Sequence, residues 1–258
     1  MDNTVQIQGL PVFYRDKGQG APILILHGWD SKSDTWVKVQ GNLVNAGFRV
    51  IIPDLPGFGQ TPQPPRVWSL KDYCEFIHEF THKLNVSKIT LAGHSFGGRI
   101  SLAYCVRYPE DLDKLVLIAT AGIKRYKQWK VKIFLFLAKI GNVIFSVPIL
   151  KYFKSMTRKV AYKLTGGHDY EKASPRMRGI MKNILNEDLR AFLPQITIPT
   201  LILWGNKDKM TPVKDARILN TEVKNSHLYI FPNQPHALQL TMPEELASRM
   251  ADFLKIET

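Results

Sequence analysis

The chain has 258 residues, of which 45% are hydrophobic and 22% charged, and its formal net charge is +13. The hydrophobic and charged shares are ordinary for a globular protein, and the length suits one large domain or one domain with an insertion. The only two cysteines, Cys74 and Cys105, occupy apolar positions of predicted helices, which excludes a disulfide framework and favours a reducing compartment.

The first residues, Met1 to Thr4, contain neither a basic region nor an apolar region, so no signal peptide is expected. Together with the two buried cysteines, this predicts a cytoplasmic location. No metal site and no cofactor are expected from the sequence.

The positive charge is concentrated in one part of the sequence. Residues 122–193 contain 16 Lys and Arg against 4 Asp and Glu, whereas the rest of the chain has 19 against 18. A strongly basic segment beside a balanced one predicts an insertion with a surface role of its own. Lysines and large apolar residues are mixed over residues 124–163, which predicts helices. Lys132 and Lys139 interrupt the apolar run there, which argues against a transmembrane span.

In chain order, residues 5–14 predict an edge hairpin that the turn residues 16–20 close. The next apolar run, 22–26, is continuous, as expected of a strand buried on both faces. A helical pattern follows it. The run 48–52 predicts another buried strand, which ends in a loop rich in proline and glycine that contains Asp54.

The sequence Gly93-His94-Ser95-Phe96-Gly97 lies between a predicted strand, 88–92, and a helical pattern that starts near Gly98. A G-x-S-x-G sequence at a strand–turn–helix junction indicates a nucleophile elbow, in which the glycines leave room for a tight, strained turn. The turn exposes the Ser95 hydroxyl at the carboxyl end of the sheet. It also sets the N–H of Phe96 beside that hydroxyl, at a helix N-terminus that favours negative charge. Ser95 is therefore the predicted nucleophile.

Three further apolar runs predict strands that alternate with helical patterns: residues 112–118, 198–205 and 227–231. Repeated strand–helix units with continuous apolar strands predict a mostly parallel sheet with helices on both faces. Ligands of such sheets bind outside the carboxyl ends of the strands. The residues that follow strands and are expected together at that edge are Trp29, Ser95, Asp208 and His236.

A serine hydroxyl needs a base, and the base needs a third group to orient it. Among the seven histidines, His236 is the predicted base because it follows a strand shortly before the final helix. His78 and His82 lie outside the apolar face of their helix, so they are interpreted as surface residues. His94 is expected to point away from the site, and His27 to brace a loop.

Asp208 is the predicted orienting acid because it follows the strand that precedes His236. Asp30 and Asp54 also lie at strand ends. Asp54 is held in the loop rich in proline and glycine, so it is expected to bond backbone groups there. No acid follows the strand that ends at Ile118, which removes another position for this role.

The order Ser95, Asp208, His236, together with His27-Gly28 and the loop 54–59, resembles the α/β-hydrolase superfamily over essentially the whole chain. The resemblance implies an α/β fold with a mostly parallel eight-stranded sheet, helices on both faces and an inserted helical cap.

The same resemblance divides the chain into a core of residues 1–121 and 194–258 and a strongly basic cap of residues 122–193. It implies that the N–H of Trp29, after His27-Gly28, joins the N–H of Phe96 in an oxyanion hole. Pro235, directly before the predicted base, departs from the glycine that family members often have there.

These residues predict a serine hydrolase of the carboxylesterase type, which cleaves an ester or related acyl bond of a small, largely apolar substrate through an acyl-enzyme. Three alternatives stay open: a C–C bond hydrolase of diketone-like meta-cleavage products, a cofactor-free perhydrolase of the haloperoxidase type, and a low-turnover receptor or binding protein on the same fold. The predicted pocket residues are His27, Gly28, Trp129, Phe134 and Phe136.

The predicted partner is a small acyl substrate. Nucleic acid is not expected, because no known binding motif accompanies the charge. The lysines of the cap predict a weak association with an anionic membrane surface.

Overall fold

A computed structural model describes residues 2–123 and 173–256 of the chain. The described strands are β1 Asp2–Ile7, β2 Leu10–Lys17, β3 Pro22–Leu26, β4 Arg49–Pro53, β5 Ile89–His94, β6 Leu112–Ile118, β7 Thr200–Gly205 and β8 Ser226–Phe231. They form one eight-stranded sheet in the order β1-β2-β4-β3-β5-β6-β7-β8. β2 pairs antiparallel with β1 and with β4, and the other neighbouring pairs are parallel. The predicted α/β class and mostly parallel sheet are confirmed.

Helices occupy the connections between these strands. Their bounds are α1 Val37–Asn45, α2 Leu70–Lys83, α3 Phe96–Arg107, α4 Pro175–Asn186, α5 Val213–Glu222, α6 Leu238–Thr241 and α7 Pro243–Leu254. Helix α2 begins with a capping box, in which the N–H of Ser69 donates to the Asp72 carboxylate at 2.6 Å and the Ser69 hydroxyl accepts the N–H of Asp72. None of the helices in the described ranges has the length and apolarity needed to cross a membrane.

Strand β3 shows why the apolar runs are continuous. Ile23 and Ile25 pack in a core layer with residues of α1 and α7, whereas Leu24 and Leu26 pack on the other face with residues of α2 and α3. Successive side chains of a strand point to opposite faces, so a sheet covered on both faces needs apolar residues at every position. A continuous apolar run therefore indicates a strand that is covered by helices on both faces.

The predicted N-terminal hairpin exists, but its turn was placed wrongly. Gln8 and Gly9 form the turn between β1 and β2, with φ values of 50° and 76°. A two-residue turn with positive φ at both positions matches the twist of the two strands. The stretch 16–20, which the sequence favoured as the turn because of its two glycines, instead leads from β2 into β3.

Between β6 and β7 the structure describes only part of the predicted cap. Helix α4 lies in it and buries Met177, Ile180 and Ile184 against the core layer that holds α2 and α3. Residues 124–172 lie outside the described ranges. The boundaries of the cap, 122 and 193, therefore stay predictions.

Candidate active site

Ser95 lies at the turn between β5 and α3, with φ 51° and ψ −107°. A positive φ is unusual for a residue with a side chain, so the surrounding structure has to hold it. The N–H of Ser95 donates to the carbonyl of Ile118 at 3.0 Å, and its own carbonyl accepts the N–H of Ala121 at 3.2 Å. The backbone at Ser95 thus has the strained turn that the sequence predicts.

The two glycines of the elbow are required by close approach. A Cβ on Gly93 would lie 2.6 Å from the carbonyl oxygen of Gly97, and a Cβ on Gly97 would overlap the carbonyl of Leu26. The N–H of Gly97 donates to the carbonyl of His27 at 3.1 Å. The elbow is therefore fastened directly to the segment that follows β3.

Asp208 and His236 come together from the loops after β7 and β8. The Nδ1 atom of His236 lies 2.6 Å from Oδ2 of Asp208. The Asp208 side chain is completely buried, whereas the His236 side chain is 13% exposed. An imidazole that donates from Nδ1 to a buried carboxylate keeps Nε2 as its proton acceptor. Pro235 is compatible with this contact.

The Asp208 carboxylate is held as an anion by several donors. Its Oδ1 accepts the N–H groups of Met210 and Thr211 at 2.8 and 2.9 Å, and its Oδ2 accepts the Thr211 hydroxyl at 2.8 Å. Burial alone would raise the pKa of this carboxyl, but the hydrogen bond and charge of His236 and the bonds from Thr211 hold the pKa below its ordinary value. Asp208 therefore stays ionised at neutral pH.

Thr211 is a site residue that the sequence analysis missed. Its hydroxyl contacts Asp208, the carbonyl of Ala119 at 3.1 Å and Nδ1 of His236 at 3.2 Å. The only signal was its position three residues after an aspartate, where Asp and Thr often bond across a turn. Nothing in that spacing indicates the contact with the end of β6.

His94 does not point away from the site, as the sequence predicted, but lies beside His236. The rings are 4.8 Å apart, and Nε2 of His94 lies 3.1 Å from the backbone carbonyl of His236. Burial, together with the neighbouring His236, lowers the pKa of His94 to about 3, so the ring is neutral and Nε2 donates. Because His94 is the neighbour of Ser95, this contact brings the elbow and the His236 loop to the same edge of the sheet.

His27 and Asp54 both brace loops, as predicted. His27 is buried, accepts the N–H of Leu55 on Nε2 at 3.0 Å and donates from Nδ1 to the carbonyl of Gly28 at 2.7 Å. Burial lowers its pKa to about 4. The Asp54 carboxylate accepts the N–H groups of Ser33 and Gln60 at 2.7 and 2.8 Å.

The predicted oxyanion residues, Trp29 and Phe96, both belong to backbone segments that adjoin Ser95. A Cβ on Gly28 would lie 3.5 Å from Cβ of Ser95, so the backbone that leads into Trp29 passes directly beside the serine. Phe96 is the first residue of α3, where an N–H has no acceptor within the helix. The aromatic rings of Trp29 and Phe96 are 5.3 Å apart.

Aromatic rings form one wall around Phe96, the residue that follows Ser95. Trp29 contacts Phe58 at 4.9 Å between centroids, and Phe96 contacts Phe58 at 6.1 Å and Tyr73 at 5.2 Å. Phe58 and Tyr73 were not among the predicted pocket residues. The predicted pocket residues Trp129, Phe134 and Phe136 lie outside the described ranges.

Comparisons with known proteins agree with this architecture. The model of a family described as alpha/beta hydrolase fold matches residues 21–243. The AB hydrolase superfamily protein YisY of Bacillus subtilis is 29% identical, over 94% of this chain and 94% of its own. The 2-hydroxy-6-oxononadienedioate/2-hydroxy-6-oxononatrienedioate hydrolase 1 of Pseudomonas putida is 27% identical, over 95% of this chain and 92% of its own. The solved structure of an esterase from Exiguobacterium antarcticum has a TM-score of 0.77 at 24% identity, and covers 99% of this chain and 100% of its own.

Proposed function

The chain belongs to the α/β-hydrolase family, and from this premise we propose that it is a serine hydrolase of the carboxylesterase type that cleaves an ester or related acyl bond. The observation that carries the proposal is the 2.6 Å contact between His236 and the buried Asp208, at the same sheet edge as the strained turn of Ser95. A nucleophile, a base and an orienting acid in this chain order are the parts that acyl transfer needs.

In the proposed reaction, the Ser95 hydroxyl attacks the substrate carbonyl while Nε2 of His236 takes its proton. Asp208 holds the imidazole in the required tautomer and stabilises the imidazolium. The N–H groups of Trp29 and Phe96 bind the oxyanion. His236 then gives its proton to the leaving alcohol, and water activated by the same ring releases the acyl group.

The proposed substrate is small and largely apolar on its acyl side. Trp29, Phe58 and Phe96 form the aromatic wall next to the serine, and such a wall favours alkyl or aryl groups over charged ones. We expect turnover to rise with acyl length until the wall and the cap are filled.

The test is a series of chromogenic esters with graded acyl chains, measured on the parent and on Ser95→Ala and His236→Ala. Each variant should lose about 10⁴-fold in kcat, and the double variant should be little worse than either single one, because the residues act as a unit. His227→Gln, which changes an exposed histidine on β8, is the matched control and should keep parental activity. A folded Ser95→Ala or His236→Ala variant with near-parental turnover would refute the assignment.

A second candidate is hydrolysis of a C–C bond with the same residues. It is favoured by the similarity to the Pseudomonas putida hydrolase of 2-hydroxy-6-oxo dienedioates, whose named substrates are dicarboxylates. Residues 124–172, with 12 Lys and Arg against 2 Asp and Glu, would suit an acidic substrate. Comparing kcat/KM for such a dicarboxylate with kcat/KM for neutral esters decides between the two candidates, with Ser95→Ala as the blank for both.

We also propose a cytoplasmic location. Cys74 and Cys105 are both free and buried. Burial raises the pKa of each thiol to about 12, which keeps both as unreactive thiols. Free thiols without a disulfide are typical of proteins in reducing compartments.

A further inference from the structure

Two histidines and a carboxylate meet at the edge of the sheet opposite to Ser95. His78 and His82 lie one turn apart on α2, and Asp111 closes the 3-10 turn Pro109–Asp111 directly before β6. One potential ligand atom from each residue lies within 4.8 Å of the others, and no other group in residues 2–123 and 173–256 meets this criterion. Because Asp111 precedes a strand whereas Ser95 follows one, the cluster lies at the amino edge of the sheet, away from the candidate active site.

The ring of His78 is held in one orientation by two contacts. Its Nδ1 lies 2.7 Å from Oδ2 of Asp111, and its face stacks on Tyr108 with centroids 4.0 Å apart and an interplanar angle of 7°. The hydroxyl of Tyr104 donates to the same carboxylate oxygen and fixes it in turn. A neutral His78 that donates from Nδ1 keeps the lone pair of Nε2 available for a cation. Metal-binding histidines are commonly oriented by a carboxylate in this way.

His82 supplies the second imidazole. It is exposed, and its ring centroid is 4.3 Å from that of His78. Ligand atoms of a tetrahedral zinc site lie about 3.4 Å apart, since zinc–nitrogen bonds are about 2.1 Å long. The exposed His82 side chain can adjust toward this spacing, while His78 stays fixed by Asp111 and Tyr108.

We propose that His78, His82 and Asp111 form a binding site for a borderline transition-metal cation such as Zn²⁺ or Ni²⁺. The imidazoles ligate the cation, and the Asp111 carboxylate orients His78 and offsets part of the positive charge. Two imidazole nitrogens suit these cations, whereas Mg²⁺ and Ca²⁺ require a shell of oxygen ligands. The bound cation would link the last two turns of α2, where both imidazoles lie, so its role is structural. The sequence analysis, which took both histidines as surface residues, had no sign of Asp111 beside them.

The experiment uses the full chain without a histidine tag, cleared of metal with a chelator. Calorimetric titration with Zn²⁺ at pH 7.5 should show one site per chain, and Mg²⁺ should show none. Zinc at about 100 times its Kd should raise Tm by about 5 °C or more, because binding to the folded state alone stabilises it.

His82→Gln is the decisive variant because it removes a ligand from an exposed position and leaves the His78–Asp111 contact intact. It should weaken zinc binding by about 10-fold or more and keep the Tm measured in chelator unchanged. His227→Gln, which changes an exposed histidine outside the cluster, should bind zinc like the parent. If the parent binds no zinc, or if His82→Gln and His227→Gln both bind it like the parent, the proposal is wrong and the cluster is an ordinary ion pair.

Discussion

At the scale of single residues, the Thr211 hydroxyl joins three loops of the site. It contacts the carbonyl of Ala119 after β6, the carboxylate of Asp208 after β7 and the ring of His236 after β8. A hydroxyl has one hydrogen, which goes to Oδ2 of Asp208 at 2.8 Å, and that oxygen also accepts the Nδ1–H of His236. Thr211 is therefore a positioning residue for the proposed base.

Thr211→Val keeps the shape of the side chain and removes the hydroxyl. We expect kcat to fall about 10-fold with little change in KM, because a lost hydrogen bond to a charged group costs about 1.5–3 kcal/mol and the residue acts through His236. Ester kinetics on the variant measure both constants. Thr221→Val, on the exposed side of α5, is the matched control, and a kcat for Thr211→Val within twofold of this control would contradict the positioning role.

Asp54 and Asp208 lie at the ends of different strands and should respond differently to the same change. In Asp54→Asn, the amide cannot accept both backbone N–H groups that the carboxylate accepts, so the variant should lose about 1–3 kcal/mol of stability. Asp208→Asn should instead lose most of its turnover, since the imidazole loses its orienting anion. Tm and turnover per active site, titrated with a covalent serine inhibitor, separate the two effects. If Asp54→Asn and Asp208→Asn were both folded and lost turnover equally, our assignment of Asp208 as the acid would be contradicted.

The residues of the candidate site were predictable to different degrees. The elbow was predictable because its five residues are adjacent, so one short stretch of sequence contains the serine and both glycines that the tight turn requires. Asp208 and His236 followed from topology, since both come after strands of the same sheet. The contact of Thr211 with Ala119 spans 92 positions and depends on the packing of two loops, which no local pattern reports. The direction of His94 was predicted wrongly for the same reason.

At the scale of elements, the strands and helices of the core were predictable because both faces of the sheet are covered. Continuous apolar runs, helical spacing and the Ser69 capping box each carry a local signal. The position of the hairpin turn was predicted wrongly because Gln8-Gly9 is a weaker turn signal than the two-glycine stretch that follows β2. Asp111 could not be assigned to a site from its position in a short 3-10 turn.

The basic segment leads to a prediction from charge alone. Lysines near an anionic bilayer contribute about 1 kcal/mol each, so several acting together give a measurable affinity. The parent should therefore co-sediment with anionic liposomes, and the bound fraction should fall as salt is raised. The variant expected to lose this binding has four lysines of the segment changed to glutamine: Lys124, Lys127, Lys130 and Lys132.

The matched control removes the same charge from exposed lysines of the core, Lys38, Lys83, Lys224 and Lys255. It should sediment like the parent if the association belongs to the basic segment. Equal sedimentation of both variants and the parent would show that this charge is only solvated.

At the scale of the whole molecule, two buried histidines link stability to pH. Burial lowers the pKa of His27 to about 4 and that of His94 to about 3, far below the value of an unfolded histidine near 6.5. Above pH 6.5 both histidines are neutral in the folded and in the unfolded chain, so their lowered pKa does not change the free energy of unfolding. Below it the unfolded chain takes up protons that the folded chain cannot, so acid destabilises the fold.

The free energy of unfolding should therefore fall by about 1.4 kcal/mol per pH unit for each of these histidines between about pH 6 and pH 4.5. Urea unfolding at several pH values measures this slope. His94→Gln should remove the part of this slope that one histidine contributes. The lowered pKa of Asp208 also makes the free energy of unfolding fall in acid, but only as the pH drops below about 4. A free energy of unfolding that stays constant from pH 7 to pH 5 would contradict the prediction.

The distribution of the site over β5, β7 and β8 has a consequence for protein synthesis. Ser95 leaves the ribosome with the first half of the chain, and His236 follows ~140 residues later. At about 5–20 residues per second, that interval lasts roughly 7–28 s. During this time the serine lacks its proposed base, because β8 and the loop that carries His236 have not been made. A nascent chain is therefore expected to be inactive until that loop has been synthesised, and chains that stop before His236 should be inert.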